Sequence, residues 1–326
     1  MPAARFPDHE EVSVIPHRIC ALAAVALAVG LSTPAVAVRP PMGGMPHGLH
    51  AGTSADLEKS LRGEAFANAS YSVFAEQARA QKLPAVATLF QRVASVELGE
   101  HFTEAATLTG LVGSDAANLR AAAEGESYES RVMYPGFARQ AKEDGDTKAA
   151  ELFAEIAKDE AAHHQRFLAA LRVLTTGKGS IPKPPDVSPE RVRAGMPQVR
   201  AARTKANLDT AMHGEALAHA KYALFAKHAE AWGNKPLARL FSGAGDVELR
   251  EHFTGEAALA GLVRSARDNL TTAVTGEQYE SRTMYPDFAR KAQAAGDTGA
   301  AALFRNDAGD EAGHARDFVA ARQALR

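Results

Sequence analysis

Slid against itself by 151 positions, the sequence matches its own second half without a gap over most of that half. Val96-Glu97-Leu98-Gly99-Glu100-His101-Phe102-Thr103 returns as Val247-Glu248-Leu249-Arg250-Glu251-His252-Phe253-Thr254. Gly125-Glu126-Ser127-Tyr128-Glu129-Ser130-Arg131 returns as Gly276-Glu277-Gln278-Tyr279-Glu280-Ser281-Arg282. All six tyrosines fall into three pairs at this offset, Tyr71/Tyr222, Tyr128/Tyr279 and Tyr134/Tyr285. A duplication of this length restricts the chain to two equivalent units, each large enough to bury its own core.

Between the copies, residues 175–203 hold Gly177, Gly179 and five prolines (Pro182, Pro184, Pro185, Pro189, Pro197). That composition predicts an extended linker, which sets the units at 53–174 and 204–326. Residues 38–52 are a second Pro/Gly-rich stretch, expected to be disordered. Ahead of it, residues 19–31 are apolar, follow Arg18, precede a small-x-small Ala35-Val36-Ala37, and are too short to span a bilayer comfortably. Residues 1–37 therefore read as a signal peptide, although Asp8, Glu10 and Glu11 fit that reading poorly. The expectation is export to a periplasmic or other extracytoplasmic space; without a working signal the chain is cytoplasmic.

Inside each copy the punctuation marks four helices. In copy one, Ser54 is a good N-cap for a helix to about Ala80, and Pro84 opens a second to about Gly110. Ser114-Asp115 caps a third, Gly145 ends it, and Asp146 caps a fourth to about Leu174. Pro236, Ser265, Gly296 and Asp297 repeat the pattern. An alanine-rich, all-α chain of two four-helix bundles in tandem is predicted. Pro135 and Pro286 fall inside the third helix of each copy and should kink it.

Lys+Arg is 37 against Asp+Glu 39, with no basic run, so no nucleic-acid partner is expected. The one cysteine, Cys20, lies in the apolar N-terminal stretch. The rest of the chain thus has no disulfide, thiolate metal site or Cys-x-x-Cys module.

Seven positions per copy carry metal-binding chemistry. Copy one offers Glu64 on its first helix, Glu97 and His101 on its second, Glu126 and Glu129 on its third, and Glu160 and His163 on its fourth. Copy two offers Glu215, Glu248, His252, Glu277, Glu280, Glu311 and His314. A lone Glu-x-x-His on an alanine-rich helix usually marks a solvated face. Seven such groups over four helices, all repeated, suit two metal ions bound by hard carboxylates and imidazoles. Five carboxylates aimed into one interior would repel one another unless cations lay between them. The adjacent Glu100 and Glu251 should point to solvent, as should His164, whose counterpart is Ala315. The paired tyrosines read as bundle-core fillers, with a hydrogen-bonding role beside the ligands kept as the alternative. His219, one turn from Glu215, is the other residue placed near them.

At these residues the chain resembles the rubrerythrin family of ferritin-like di-iron proteins. The stretches that carry the resemblance are GESYESRVMYPGFARQAKEDGD (125–146) and AELFAEIAKDEAAHHQRF (150–167), with their counterparts in copy two. The resemblance implies two ferritin-like bundles and two di-iron centres, with manganese as the other candidate metal. It implies that Glu97 and Glu160 bridge one metal pair, with Glu64 and His101 or Glu129 on one ion and Glu126 and His163 on the other. In copy two, Glu248 and Glu311 would bridge. Glu129 and Glu280 would be the catalytic carboxylates that shift as the metal charge changes.

Two departures from the family pattern matter. The family spaces its second-helix ligands Glu-x-x-His, whereas Glu97/His101 and Glu248/His252 are four apart. One residue of slip turns a helix by about 100°, so a π-type bulge is expected at 97–101 and at 248–252. The rubredoxin-type module of many members needs four cysteines, so electrons must come from an external donor.

The resemblance points to an oxidoreductase that reduces hydrogen peroxide. A ferroxidase, or an iron- or manganese-sequestering protein that reacts with oxygen, is the alternative, and a metal-free scaffold acting by interaction is a third. Peroxide outpacing oxygen favours the first, net iron accumulation the second, and full stability without metal the third.

Chain length adds one expectation. In a ferritin-like bundle the second and third helices run parallel, so the link between them must return along the bundle by roughly 30 Å at 1.5 Å per helical residue. The four or so free residues 111–114 reach roughly 14 Å at about 3.6 Å each. A swap is therefore predicted, with the first two helices of one copy pairing with the last two of the other. One site would hold Glu64, Glu97, His101, Glu277, Glu280, Glu311 and His314; its twin would hold the remaining seven. The exchange can run within one chain or between two chains of a homo-oligomer.

Overall fold

The structure, a computed structural model, describes residues 48–325; the signal-peptide reading of 1–37 lies outside them. Eight helical rods are found among the described residues: α1 (Ala51–Ala80), α2 (84–109), α3 (115–143), α4 (Thr147–Thr176), α5 (Ala202–Ala231), α6 (235–260), α7 (266–295) and α8 (Thr298–Ala324). None is long and apolar enough to cross a membrane.

Most of the expected punctuation is found. Gly110 and Gly261 end α2 and α6 in the left-handed conformation, φ 63° and 66°. The Ser114 hydroxyl then accepts the Ala117 N–H at 3.3 Å to start α3. Two caps work differently. α1 begins at Ala51, a turn before Ser54: the His50 carbonyl accepts the Ser54 N–H at 3.0 Å, and the His50 N–H is bonded to Asp297 Oδ2 at 3.0 Å. Asp146 likewise makes no cap for its own helix; its carboxylate accepts the N–H groups of Arg200 and Ala201, at 2.9 and 3.0 Å. The equivalent aspartates 146 and 297 each tie the start of a fourth helix to the start of the other copy's first helix.

That cross-tie reflects the arrangement of the whole. α1 and α2 pack against α7 and α8, while α5 and α6 pack against α3 and α4, so each bundle takes two helices from each copy. The aromatic cores show it residue by residue. Phe318 of α8 lies 5.3 Å from Tyr71 and 5.1 Å from Phe90, between ring centroids. Phe167 of α4 lies 5.3 Å from Tyr222 and 5.5 Å from Phe241. Where α1 meets α5, Phe66 stacks on His213 at 4.0 Å.

The linker straps the outside of α6. The N–H groups of Glu190, Gly195 and Gln198 donate to the carbonyls of Arg250, Val263 and Leu259 at 2.8–3.0 Å. Gly261 is required at this crossing, since a Cβ there would stand 2.4 Å from the Pro197 nitrogen.

Candidate metal centres

Four helices interrupt their regular winding at the acids. α2 and α6 pass through π-helical turns at Glu97–Phe102 and Glu248–Phe253, where the four-residue spacing required a distortion. A widened turn takes carbonyls out of the regular ladder, and side chains meet them. Asn68 Nδ2 donates to the Ala94 carbonyl at 2.6 Å, and its counterpart His219 bonds the Gly245 carbonyl through Nδ1 at 2.7 Å. The Thr103 and Thr254 hydroxyls cover the Leu98 and Leu249 carbonyls at 2.9 Å. α3 and α7 carry π turns at Glu129–Met133 and Glu280–Met284, directly before Tyr134-Pro135 and Tyr285-Pro286. The expected proline kink is thus a widened turn, which relieves the clash between a proline ring and the carbonyl four residues back.

Twelve of the fourteen expected ligands converge in two buried clusters, and each cluster spans both copies. In the first, Glu64, Glu97, His101 and Glu311 form one tight group, and Glu97, Glu277, Glu311 and His314 form another. In the second, the groups are Glu160, Glu215, Glu248 and His252, and Glu126, Glu160, His163 and Glu248. The within-copy pairing of Glu97 with Glu160 is overturned: Glu97 shares its cluster with Glu311, and Glu160 with Glu248, because the short 110–114 link sends α3 into the other bundle.

The two shared carboxylates in each cluster divide their oxygens between two imidazoles. Glu97 Oε2 is 2.9 Å from His101 Nδ1 and its Oε1 is 3.3 Å from His314 Nδ1. Glu311 repeats this, with Oε1 3.0 Å from His101 and Oε2 2.8 Å from His314. In the second cluster, Glu160 reaches His252 at 3.0 Å and His163 at 3.1 Å, and Glu248 reaches them at 2.9 and 3.2 Å. Glu64 and Glu277 each face one histidine, His101 at 3.6 Å and His314 at 3.5 Å. Glu215 and Glu126 do the same for His252 and His163, at 3.4 and 3.8 Å. Behind the rings, His101 Nε2 and His252 Nε2 lie 3.6 Å from the carboxylates of Asp310 and Asp159.

Glu129 and Glu280 stand outside these tight groups. Each is half-buried and leans over the glycine before a first-helix ligand. Glu280 Oε1 is 3.6 Å from where a Cβ of Gly63 would be, and Glu129 Oε1 is equally far from that of Gly214. Burial first, then the charges of Glu160 and Glu248, pushes the Glu129 carboxyl up to about 8. Burial, then Glu311 and Glu97, does the same for Glu280.

Electrostatics sort the other groups. Burial raises Glu64, Glu126, Glu215 and Glu277 well above the usual carboxylate range. Burial also acts on Glu160, but the charge of His252 and bonds from both histidines hold it well below that range. Glu311 is held low against the same burial by bonds from Glu277, His101 and His314. The histidines rise in answer despite burial: His163 to about 10, chiefly through the Glu248 charge, and His314 to about 12 through bonds to Glu277 and Glu311. Protons balance these acids where divalent cations would displace them. The donor set fits such ions on a second ground. Glu97 Oε1, Glu126 Oε2, Glu160 Oε1, Glu277 Oε2, Glu311 Oε1 and both Glu248 oxygens are buried and face the imidazoles without a well-aligned hydrogen bond.

The tyrosines proved to be more than core fillers. Tyr71 donates to Glu277 Oε1 at 2.5 Å, and Tyr222, Tyr134 and Tyr285 donate to Glu126, Glu215 and Glu64. Tyr128 and Tyr279 are exposed. His164 is also not at the surface: it is buried, and its Nδ1 meets the Ala123 carbonyl at 2.7 Å, tying α4 to α3. One acid went unnoticed. Glu256 is fully buried and accepts the Tyr134 hydroxyl at 3.0 Å. Its counterpart is Ala105, so a search by repeated residues passes it over.

Helical bundles with paired carboxylate–histidine clusters define the ferritin-like class, and each cluster could hold a pair of metal ions. Comparison with known proteins narrows this. The family model described as Rubrerythrin matches residues 96–171 and again 242–322. A rubrerythrin of Porphyromonas gingivalis is 37% identical over 138 residues, covering 38% of this chain and 68% of the relative. Nigerythrin of Nitratidesulfovibrio vulgaris is 35% identical over 131 residues, covering 36% and 65%, and a rubrerythrin of the same organism is 32% identical over 138 residues, covering 39% and 72%. No solved structure gives a significant match. The chain belongs to the rubrerythrin family.

Proposed function

We propose that the chain is a di-iron oxidoreductase that reduces hydrogen peroxide to water with electrons from an external donor. The observation that carries this reading is the pair of carboxylates in each cluster whose oxygens are split between two imidazoles, Glu97 with Glu311 and Glu160 with Glu248. Glu97 with Glu311, and Glu160 with Glu248, would be shared between two ions, Glu64 with His101 and Glu277 with His314 would hold the ions of the first centre, and Glu215 with His252 and Glu126 with His163 those of the second. Iron bound there as a ferrous pair would supply the two electrons that, with two protons, take hydrogen peroxide to two waters. The protein's part is to hold the acids against their mutual repulsion and to fix their orientation through the tyrosine hydroxyls. Glu129 and Glu280, set back over glycines, would be the carboxylates that shift toward the cluster as the metal charge changes. If residues 1–37 act as an export signal, this chemistry belongs outside the cytoplasm.

Anaerobic full-length protein loaded with ferrous iron tests the reading. Peroxide should oxidise it faster than oxygen by more than tenfold (order of magnitude). Comparable rates with net uptake of further iron would instead favour a ferroxidase or sequestering role, and failure to bind metal at all would favour a scaffold.

A further inference from the structure

The two centres differ in what lies between them and solvent. Beside His101 a cavity of about 430 Å³ opens between α2 and α8, lined by Glu100, Glu104, Asp307 and Asp310 together with Arg305. Glu100, Glu104 and Asp310 are exposed, whereas Asp307 is only 1% exposed. Asp307 Oδ2 has no hydrogen-bond partner, and neither does His101 Nε2. A buried, unpartnered carboxylate oxygen at the inner end of an acidic cavity is a hard donor awaiting a cation. The counterparts around His252 are different: Gly255 replaces Glu104 and Lys158 replaces Gly309, offset by Glu155 for Asn306 and Ala154 for Arg305, while the buried donor is lost outright, Ile156 replacing Asp307. Glu251, the counterpart of Glu100, is occupied by the linker, accepting the Ser188 N–H at 2.6 Å.

We propose that this cavity is a cation-binding vestibule that captures a divalent ion such as Fe²⁺ or Mn²⁺ and passes it to the His101 centre, and that the His252 centre is loaded without one. The inference rests on the dinuclear reading of the clusters. Convergent carboxylates at a narrow mouth raise the local concentration of cations and speed capture, an effect that salt weakens. The duplication has thus produced two centres of similar ligands and unequal access.

Stopped-flow mixing of the metal-free full chain with Co²⁺, whose absorption reports filling of carboxylate–histidine sites, tests it. The wild type should fill in two phases to about four ions, two per centre, and Glu248→Ala, which damages the His252 centre, should keep the fast phase. Glu104→Gln, an exposed change that leaves the fold alone, and Glu104→Gln with Asp307→Asn should slow the fast phase about tenfold at low salt. Neither should change the endpoint, and about 0.5 M salt should narrow the difference. An unchanged fast phase in both variants overturns the vestibule while leaving the dinuclear reading intact. A wild-type endpoint below two ions overturns the dinuclear reading, and the vestibule with it.

Discussion

Tyr71 and Glu277 are separated by 206 positions in the chain, yet the Tyr71 hydroxyl donates to Glu277 Oε1 across 2.5 Å. Tyr222 makes the reciprocal bond to Glu126, from copy two back to copy one. Neither copy completes a cluster from its own helices. The repeat visible in the sequence is a unit of duplication, and the bundle that carries each cluster is a different set of helices.

Removing one of these hydroxyls should weaken one centre selectively. Tyr71→Phe keeps the ring in its aromatic cluster but leaves Glu277 without its donor. Outer hydrogen bonds of this kind are worth about 10- to 100-fold in metal affinity. Chelator competition should show that loss at the His101 centre and an unchanged His252 centre; equal weakening of both would contradict the assignment.

Acid should loosen the tie between α4 and α5. Burial raises the Asp146 carboxyl, but the N–H groups of Arg200 and Ala201 outweigh it and hold it below its ordinary value. A lowered folded pKa contributes stability above the unfolded value of about 3.9, and that stability is lost as pH falls through the folded value. Asp146→Asn should cost about 1–2 kcal/mol at neutral pH and flatten the acid limb below about pH 4 in thermal melts. A variant that keeps the wild-type acid limb would rule this contribution out.

Two glycines with similar backbones should respond differently to a methyl group. Gly145→Ala, at φ 77° with nothing near the added Cβ, should cost only the conformational strain, about 1–2 kcal/mol. Gly261→Ala, at φ 66° and 2.4 Å from the Pro197 nitrogen, must also lift the linker off α6. Denaturant melts should rank Gly261→Ala clearly below Gly145→Ala, and proteolysis should cut its linker sooner. Equal stability of the two variants would mean that the strap contributes nothing.

Much of this was legible in the sequence, for reasons that can be named. Glu-x-x-His spacing and the repeat marked the residues that gather in the clusters, because helical periodicity brings such residues to one face. The four-residue spacing of Glu97 and His101 foretold a π turn, and the shortness of residues 111–114 foretold the exchange of helices. What remained hidden depends on tertiary neighbours. Nothing local says that Asp146 will hold the start of α5 rather than its own helix, or that His50 will find Asp297. The tyrosine hydroxyls meet carboxylates on helices from the other copy, which composition cannot show. Glu256 breaks the repeat, so the device that exposed its neighbours concealed it. Asp159 and Asp310 do repeat, one residue before a ligand, and could have been found.

The central claim is that each centre is assembled from both copies, and metal content of two double variants tests it most directly. His101 and His314 come from different copies and lie in one cluster, whereas His101 and His163 come from one copy and lie in different clusters. After anaerobic loading of the full chain, His101→Ala with His314→Ala should retain about two ions per chain, those of the intact second centre. His101→Ala with His163→Ala damages both centres and should retain almost none. The opposite result, about two ions kept by the His101/His163 variant and none by the His101/His314 variant, would contradict the account.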